Sequence, residues 1–139
     1  MALSYDIQPT RYLIGSGSAA STLTASYSGN TKTVNVGGMS QLVLGVVYTP
    51  AENGRIISIK VEVSFDGTNW LYLTTEDRNG GVITIHLREP ENFTGATMAT
   101  VYPFTRSYPI AHKAARISIK ENGTDTFGTV IVSYMSSGK

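Results

Sequence analysis

The segment from Ile57 to Phe65 alternates strictly between apolar and polar side chains, and this alternation limits the possible folds more than any other feature of the sequence. A two-residue period places all the apolar side chains on one face of an extended strand, whereas a helix would spread them around its circumference. The segment therefore predicts a β-strand with one face in a hydrophobic core and the other face in water.

Similar strands recur along the chain. Ala115–Ile119 repeats the alternation, and Val130–Tyr134 does so near the end. Gln41–Tyr48 is apolar at successive positions, which predicts a central strand buried on both faces. Short turn segments rich in Gly, Asn and Asp separate these runs, and no long segment shows a helical period. We therefore expect an all-β fold, an antiparallel sandwich or barrel with almost no helix.

Local patterns predict individual elements. Two alternating runs around a glycine-containing turn predict one hairpin between Thr22 and Val36, and the strand that begins at Trp70 predicts a second hairpin with Ile57–Phe65. Met98–Phe104 predicts a strand that Pro103 confines to a sheet edge, because proline cannot donate a backbone hydrogen bond. Thr105–Lys113 is expected to be irregular.

Composition limits the classes of function. The chain has 139 residues, 15% charged residues, a net charge of +1 and no cysteine. This length suits one domain, and the weak charge provides no strong field to attract nucleic acid or an acidic membrane. No apolar run approaches the length of a membrane span. We expect residues 1–21 to form a flexible N-terminal arm, with a Ser- and Gly-rich connection at its end, and residues 22–139 to form the sandwich.

The sequence contains no convincing catalytic or metal-binding pattern. His86 and His112 are far apart and lack the spacing of zinc ligands. The Ser- and Gly-rich connection lacks the strand-to-helix context of a nucleophile elbow or a phosphate loop. Asp66-Gly-Thr-Asn has oxygen ligands and a glycine but lacks the later acidic ligands of a calcium loop, so a plain turn is expected. We predict no catalytic residue, no cofactor and no bound metal.

Aromatic residues are the remaining candidates for a binding site. Trp70 follows a tight turn, and we expect it to pack on the core. Tyr102, Phe104, Arg106 and Tyr108 are of types enriched at protein interfaces. They lie in a proline-containing stretch that we expect to be exposed. The sequence does not distinguish between partner contact and structural packing as the role of this segment.

Two parts of the chain carry a family resemblance. The strand Leu42–Thr49, followed by Val61-Glu-Val-Ser-Phe-Asp-Gly-Thr-Asn-Trp70, resembles small virion proteins of tailed bacteriophages, especially β-sandwich head-decoration or cement proteins. Ala115–Lys120 and Gly128–Tyr134 fit the same pattern, so the resemblance covers about the last two thirds of the chain. The segment Ser64–Trp70 is also similar to discoidin-like carbohydrate-binding domains. The absence of cysteines and of a recognisable signal peptide favours the phage family.

The resemblance implies a jelly-roll-like domain, trimeric, that binds the major capsid protein on the outer capsid surface and stabilises the head by bridging capsomers. The protein would be made in the bacterial cytoplasm and would not be an enzyme. The N-terminal arm would reach a neighbouring subunit, which makes Tyr5, Arg11 and Tyr12 candidate partner-binding residues beside the aromatic segment. The alternative is a carbohydrate-binding or receptor-binding module of a phage tail, with a glycan as ligand.

Overall fold

The computed structural model describes residues 11–87, 91–110 and 113–138, and the regular secondary structure of these residues is almost entirely β-strand. The one helical element within those ranges is a 3₁₀ turn at Tyr27–Asn30. The prediction of an all-β fold is therefore confirmed. In chain order the strands are β1 (Arg11–Ile14), β2 (Ser21–Thr22), β3 (Thr31–Asn35), β4 (Met39–Thr49), β5 (Arg55–Ser64), β6 (Leu71–Tyr72), β7 (Thr74–Asn79), β8 (Val82–Leu87), β9 (Glu91–Gly95), β10 (Tyr102–Pro109), β11 (Ala114–Glu121) and β12 (Thr129–Gly138).

Two five-stranded antiparallel sheets pack face to face. Sheet A has the order β1-β12-β4-β10, and β2 also pairs with β12. Sheet B has the order β3-β11-β5-β6, and β9 also pairs with β5. A separate hairpin of β7 and β8 turns through Gly80 and Gly81, which both have positive φ angles (59° and 85°) as a two-residue hairpin turn requires.

Each sheet interleaves early strands with late ones. In sheet A, β12 lies between β1 and β4, and in sheet B, β11 lies between β3 and β5. Setting aside β2, β6 and the β7–β8 hairpin, the main strands follow the order first, eighth, third, sixth in sheet A and second, seventh, fourth, fifth in sheet B. This is the strand order of a jelly roll, in which two Greek keys close around one core. The predicted antiparallel, jelly-roll-like sandwich is confirmed.

The alternation read from the sequence builds the core. Ile57 and Ile59 of β5 point inward, and the adjacent strand β11 sets Ile119 directly opposite Ile59. Sheet A contributes Val46 and its alternate neighbours from β4. The alternation ends one residue early, because β5 ends at Ser64, which is fully buried, whereas Phe65 is 67% exposed. Each sheet thus contributes one hydrophobic face to a shared core.

One buried polar pair also connects the sheets. Tyr48 of β4 donates its hydroxyl proton to Glu121 at the end of β11. The other carboxylate oxygen of Glu121 accepts a hydrogen bond from the backbone nitrogen of Gly128 at 2.8 Å. Both side chains have no exposed surface. The two bonds satisfy a carboxylate that burial would otherwise make costly.

The hairpin predicted between Thr22 and Val36 is wrong. β2 pairs with β12 in sheet A, whereas β3 pairs with β11 in sheet B. The 3₁₀ turn at Tyr27–Asn30 lies between them and carries the chain from one sheet to the other. Alternation and a turn signal fix the local conformation but leave open which strands pair.

The predicted boundary between a flexible arm and the sandwich at residue 21 is also wrong. β1 pairs with β12, and Ile14 is 2% exposed and belongs to the core. The Ser- and Gly-rich connection is closed by backbone hydrogen bonds between Ser16 and Ala19 in both directions. The sandwich thus already includes Arg11, and the rest of the predicted arm, residues 1–10, lies outside the described residues.

Strand β10 replaces most of the predicted irregular segment. It runs from Tyr102 to Pro109 and pairs with β4 along its whole length. As expected from Pro103, β10 lies at a sheet edge. Pro103 and Pro109 are both accommodated there, because an edge strand has one side without ladder partners.

Candidate functional site

The outer face of sheet A is formed by the odd-numbered residues of β4, β10 and β12, together with Tyr12 of β1. They alternate with buried residues, and the register sets them side by side across the sheet. We call this surface the uncharged face. It consists of Tyr12 from β1, Gln41, Val43, Gly45, Val47 and Thr49 from β4, Pro103, Thr105, Ser107 and Pro109 from β10, and Thr129, Ile131, Ser133 and Met135 from β12.

None of these residues carries a charge, and several expose apolar surface. Met135 is 64% exposed, Tyr12 44% and Val47 36%. The prediction that Gln41–Tyr48 is buried on both faces is therefore half right. The strand is central in sheet A and its even-numbered residues are buried, but no described residue covers its odd-numbered ones.

Gly45 lies in the middle of the uncharged face, opposite Ser133 on one side and Thr105 on the other. A Cβ atom at Gly45 would come within 2.8 Å of the Ser133 hydroxyl, so a larger residue there would require that hydroxyl to rotate away. Because glycine has no side chain, the centre of the face is flat. From strand spacing and rise, the face measures about 20 Å by about 27 Å, or about 500 Å².

The predicted aromatic segment faces the other way. Tyr102, Phe104, Arg106 and Tyr108 are the even-numbered residues of β10, and they point to the inner side of sheet A. Tyr108 is 2% exposed, and the other three are half-buried. Their contacts are therefore mainly with the rest of the sandwich.

These residues form a seam with β9, which belongs to the opposite sheet. The ring of Phe93 stacks on Phe104, with centroids 4.4 Å apart, and meets Tyr102 edge to face at 5.7 Å. Arg106 pairs with Glu91 through its Nε atom at 2.6 Å. The seam joins the edge of sheet A to the edge of sheet B, so structural packing accounts for these contacts.

The remaining predicted partner-binding residues lie elsewhere. Arg11 and Tyr12 belong to β1, at the edge of sheet A opposite β10, and both are exposed. Tyr5 lies outside the described residues. Two strands separate β1 from β10, which sets the two groups about 14 Å apart across the sheet. Among the described residues, the predicted partner-binding residues therefore do not form one patch.

The outer face of sheet B differs sharply from that of sheet A. The 3₁₀ turn and the strands β3, β5 and β11 enclose an open groove of about 360 Å³, which we call the charged groove. Its lining consists of Tyr27, Ser28, Thr31, Lys60, Glu62, Arg116 and Ser118.

Glu62 is the centre of the charged groove. Arg116 donates to its Oε1 atom from Nε at 3.2 Å and from Nη2 at 3.0 Å, and the Nζ atom of Lys60 lies 3.6 Å from the same oxygen. The Glu62 residue is only 8% exposed although it lies on the outer face. Two cations thus stabilise a carboxylate that is largely shielded from water.

Aromatic rings flank this ion cluster. The Tyr27 ring lies under the Nζ atoms of Lys60 and Lys120, at 4.6 and 4.7 Å from its centroid. The Arg116 guanidinium lies 4.6 Å from the Trp70 ring. Trp70 is half-buried and outside the hydrophobic core, so the expectation that it packs on the core is wrong. Cation–π contact with Arg116 holds it on the outer face instead.

The turn before Trp70 is fixed by Asp66. Its carboxylate accepts hydrogen bonds from the backbone nitrogens of Thr68 and Asn69 at 2.8 Å, and from the Asn69 side chain at 2.6 Å. The bond from the Asn69 backbone, followed by that from Thr68, lowers the pKa of Asp66 well below its ordinary value. Protein donors thus engage the carboxylate, as in the plain turn that the sequence predicts.

The structure adds two findings on metals and membranes. Among the described residues, no three metal-ligating side chains lie close enough together to hold an ion. His112 lies outside the described residues, and His86 belongs to β8. Nowhere in the described ranges does a helix have the length and apolar character to traverse a bilayer.

Sequence reasoning missed both outer faces as surfaces. Lys60 and Glu62 were recognisable as neighbours on the polar face of one strand, but nothing in the sequence indicates that β11 sets Arg116 opposite Glu62. No family model, curated protein or solved structure matches the chain. The two faces must therefore be interpreted from their own chemistry.

Proposed function

We propose that the protein is a structural component of a tailed-bacteriophage virion, a decoration or cement protein that binds the outer capsid surface through its uncharged face. The observation that carries this proposal is the exposure of apolar side chains on the two central strands of sheet A, at Val47 and Met135. Apolar side chains that are exposed on central strands, within a surface that has no charge, are compatible with a partner that covers them.

The chemistry of the uncharged face supports attachment to another protein. Charged groups are depleted at the centres of protein interfaces, because removing a charge from water costs free energy that pairing must restore. This face has no charge to desolvate. Its serine and threonine hydroxyls can exchange hydrogen bonds with water for hydrogen bonds with a partner.

The size of the uncharged face supports a many-copy assembly. Its flat outline of about 500 Å² corresponds to one interface of modest size, toward the lower end of those that are stable on their own. A protein that bridges neighbouring capsomers makes several such contacts at once, so modest contacts combine into firm attachment. We propose that residues 1–10, with Tyr5, add to the contact beside Arg11 and Tyr12, and that the protein is a trimer.

The fold is compatible with this role. Jelly rolls form viral capsid domains, although they also form lectins, so the fold alone assigns no function. In the proposal the partner is the major capsid protein, the location is the capsid surface, and the protein performs no catalysis and uses no cofactor. Attachment needs only a complementary surface on each subunit of the shell.

Co-sedimentation with capsid shells tests the proposal. The purified protein is mixed with empty shells assembled from the major capsid protein of the phage that encodes it, and the bound fraction is measured by ultracentrifugation. We expect saturable binding. Met135→Glu and Val47→Lys should weaken it by about 100-fold, because each places an unpaired charge in a desolvated interface.

The matched control is Tyr72→Ala, which removes an exposed side chain from sheet B. This variant should bind shells like the unchanged protein. Circular dichroism and urea denaturation must show that all three variants are folded. The proposal fails if the unchanged protein does not bind the shells, or if both charge variants bind as well as it does. Light scattering of the free protein tests the trimer.

A further inference from the structure

We infer that the charged groove of sheet B is a binding site for a sugar that carries a carboxylate. The site lies on the outer face of sheet B, opposite the uncharged face, so it would point away from a shell to which sheet A is attached. The inference goes beyond attachment and does not depend on it, since both the groove and its ligand can be studied with the isolated protein.

Arg116 supplies the first argument. A guanidinium has five N–H donors, and two of those on Arg116 are used by Glu62. No described residue accepts a hydrogen bond from the remaining three, and the side chain is 31% exposed in the groove. Planar guanidinium donors that are held in place and partly exposed are well suited to bind a carboxylate.

The balance of charge supplies the second argument. Lys60 and Arg116 both contact the single carboxylate of Glu62, and Lys120 shares the Tyr27 ring with Lys60, so three cations and one carboxylate occupy this part of sheet B. Within the described part of the chain, no carboxylate pairs with Lys120. An anionic ligand would complete this cluster, whereas a cationic one would be repelled.

The aromatic rings beside the groove supply the third argument. β6 sets Tyr72 directly opposite Glu62, and the Tyr72 side chain is 56% exposed. Trp70, two residues earlier, contacts the Arg116 guanidinium through its ring. A sugar ring has apolar C–H faces and a hydroxyl rim, so an exposed aromatic ring beside polar groups offers complementary contacts.

Glu62 supplies an acceptor for the hydroxyl rim. Arg116 and Lys60 both contact its Oε1 atom, and no described residue donates a hydrogen bond to its Oε2 atom. A sugar hydroxyl can donate to that oxygen while the sugar carboxylate accepts from Arg116, with Lys120 adding positive charge beside Tyr27. One carboxylated sugar can therefore pair with the Arg116 guanidinium, donate a hydrogen bond to the Glu62 carboxylate and contact the Tyr72 ring.

NMR titration of the isotopically labelled protein tests the site. Glucuronate and galacturonate are the probes, and glucose and galactose are their neutral counterparts. We expect millimolar dissociation constants for the acidic sugars, with shifts at Arg116, Ser118 and Tyr72, and at least tenfold weaker binding of the neutral sugars. Added salt should weaken the binding of the acidic sugars but not that of the neutral sugars, because it screens the charges.

Tyr72→Ala and Lys120→Gln should each weaken binding of the acidic sugars about tenfold without unfolding the protein, since both side chains lie on the outer face. Met135→Ala, on the uncharged face, is the control and should bind the sugars like the unchanged protein. The inference is overturned if neither acidic sugar binds at about 50 mM. It is also overturned if neutral sugars bind equally well, or if Tyr72→Ala binds normally. None of these outcomes affects shell binding, which is measured separately.

Discussion

Tyr48 and Glu121 join the two sheets of the sandwich through a hydrogen bond between fully buried side chains. Tyr48 comes from the central strand β4 of sheet A, and Glu121 ends β11 of sheet B. The Gly128 backbone holds the other oxygen of Glu121, so the carboxylate fixes the start of β12 as well. Strand β4, the end of β11 and the start of β12 therefore meet at one buried acid.

Tyr48→Phe should destabilise the protein by about 1–3 kcal/mol, because it leaves a buried acceptor of Glu121 without its donor. The ring remains, so the change tests the hydrogen bond and not the packing. Urea denaturation at neutral pH measures the free energy of unfolding. Tyr72→Phe removes an exposed hydroxyl and is the control, with an expected change near zero. Equal stability of the two variants would contradict a stabilising role for the buried bond.

Alkaline pH should weaken the fold partly through Tyr48. Burial, followed by the hydrogen bond to Glu121, raises the pKa of the Tyr48 hydroxyl far above its ordinary value of 10.0. The unfolded chain loses this proton above pH 10 whereas the folded protein keeps it, so the stabilisation is complete below that pH and declines as the pH rises. Urea midpoints from pH 9 to 11 should fall, and they should fall less in Tyr48→Phe. Parallel declines in both proteins would be inconsistent with this linkage.

Phe104→Ala should lower the free energy of unfolding by about 1–3 kcal/mol, because the protein loses a half-buried ring and its stacking on Phe93. Thermal and urea denaturation measure the change, and Tyr72→Ala is the control for an exposed aromatic residue. If Phe104→Ala is as stable as the control, the seam does not hold the sheets together. The ring would then be free for the partner contact that the sequence leaves open.

Gly128→Ala should destabilise the protein by about 1–3 kcal/mol through overpacking. A Cβ atom there would lie 2.3 Å from the Thr49 carbonyl oxygen and 2.9 Å from the Pro50 Cα, and backbone atoms cannot move aside cheaply. Gly37→Ala is the matched control, because its nearest neighbour, the Asn35 side-chain oxygen, would be 3.4 Å away. A crystal structure or denaturation curve showing that Gly128→Ala is tolerated as well as Gly37→Ala would refute the close approach.

The period of the side chains predicts local conformation well in this protein. Ile57–Ser64 and Ala114–Glu121 form strands as expected, because only an extended strand places alternating apolar residues on one buried face. The same reasoning fails at Phe65, where the Asp66 turn ends the strand one residue early. The expectation for Thr105–Pro109 was also wrong, because this stretch was predicted to be irregular but continues an edge strand that accommodates Pro109.

Pairing and the candidate sites were beyond the reach of the sequence. The register between Glu62 and Arg116 joins residues far apart in the chain, and the signal for β3 was as consistent with a local hairpin as with its actual partner β11. Gln41–Tyr48 shows the limit most clearly. Its apolar residues on both faces were correctly placed at the centre of a sheet, but whether a second layer or another molecule covers the outer side depends on tertiary structure.

The insertion of β12 between β1 and β4, and of β11 between β3 and β5, has a consequence for how the chain is made. Neither sheet can form its central strand pairs until the residues beyond Ala114 have been synthesised. Until then, the earlier strands lack part of their backbone hydrogen bonds. Such long-range closure slows folding and leaves the nascent protein open to premature association. A product released before Thr129 would lack the strand on which both sides of sheet A depend, and quality control in the cell would be expected to degrade it.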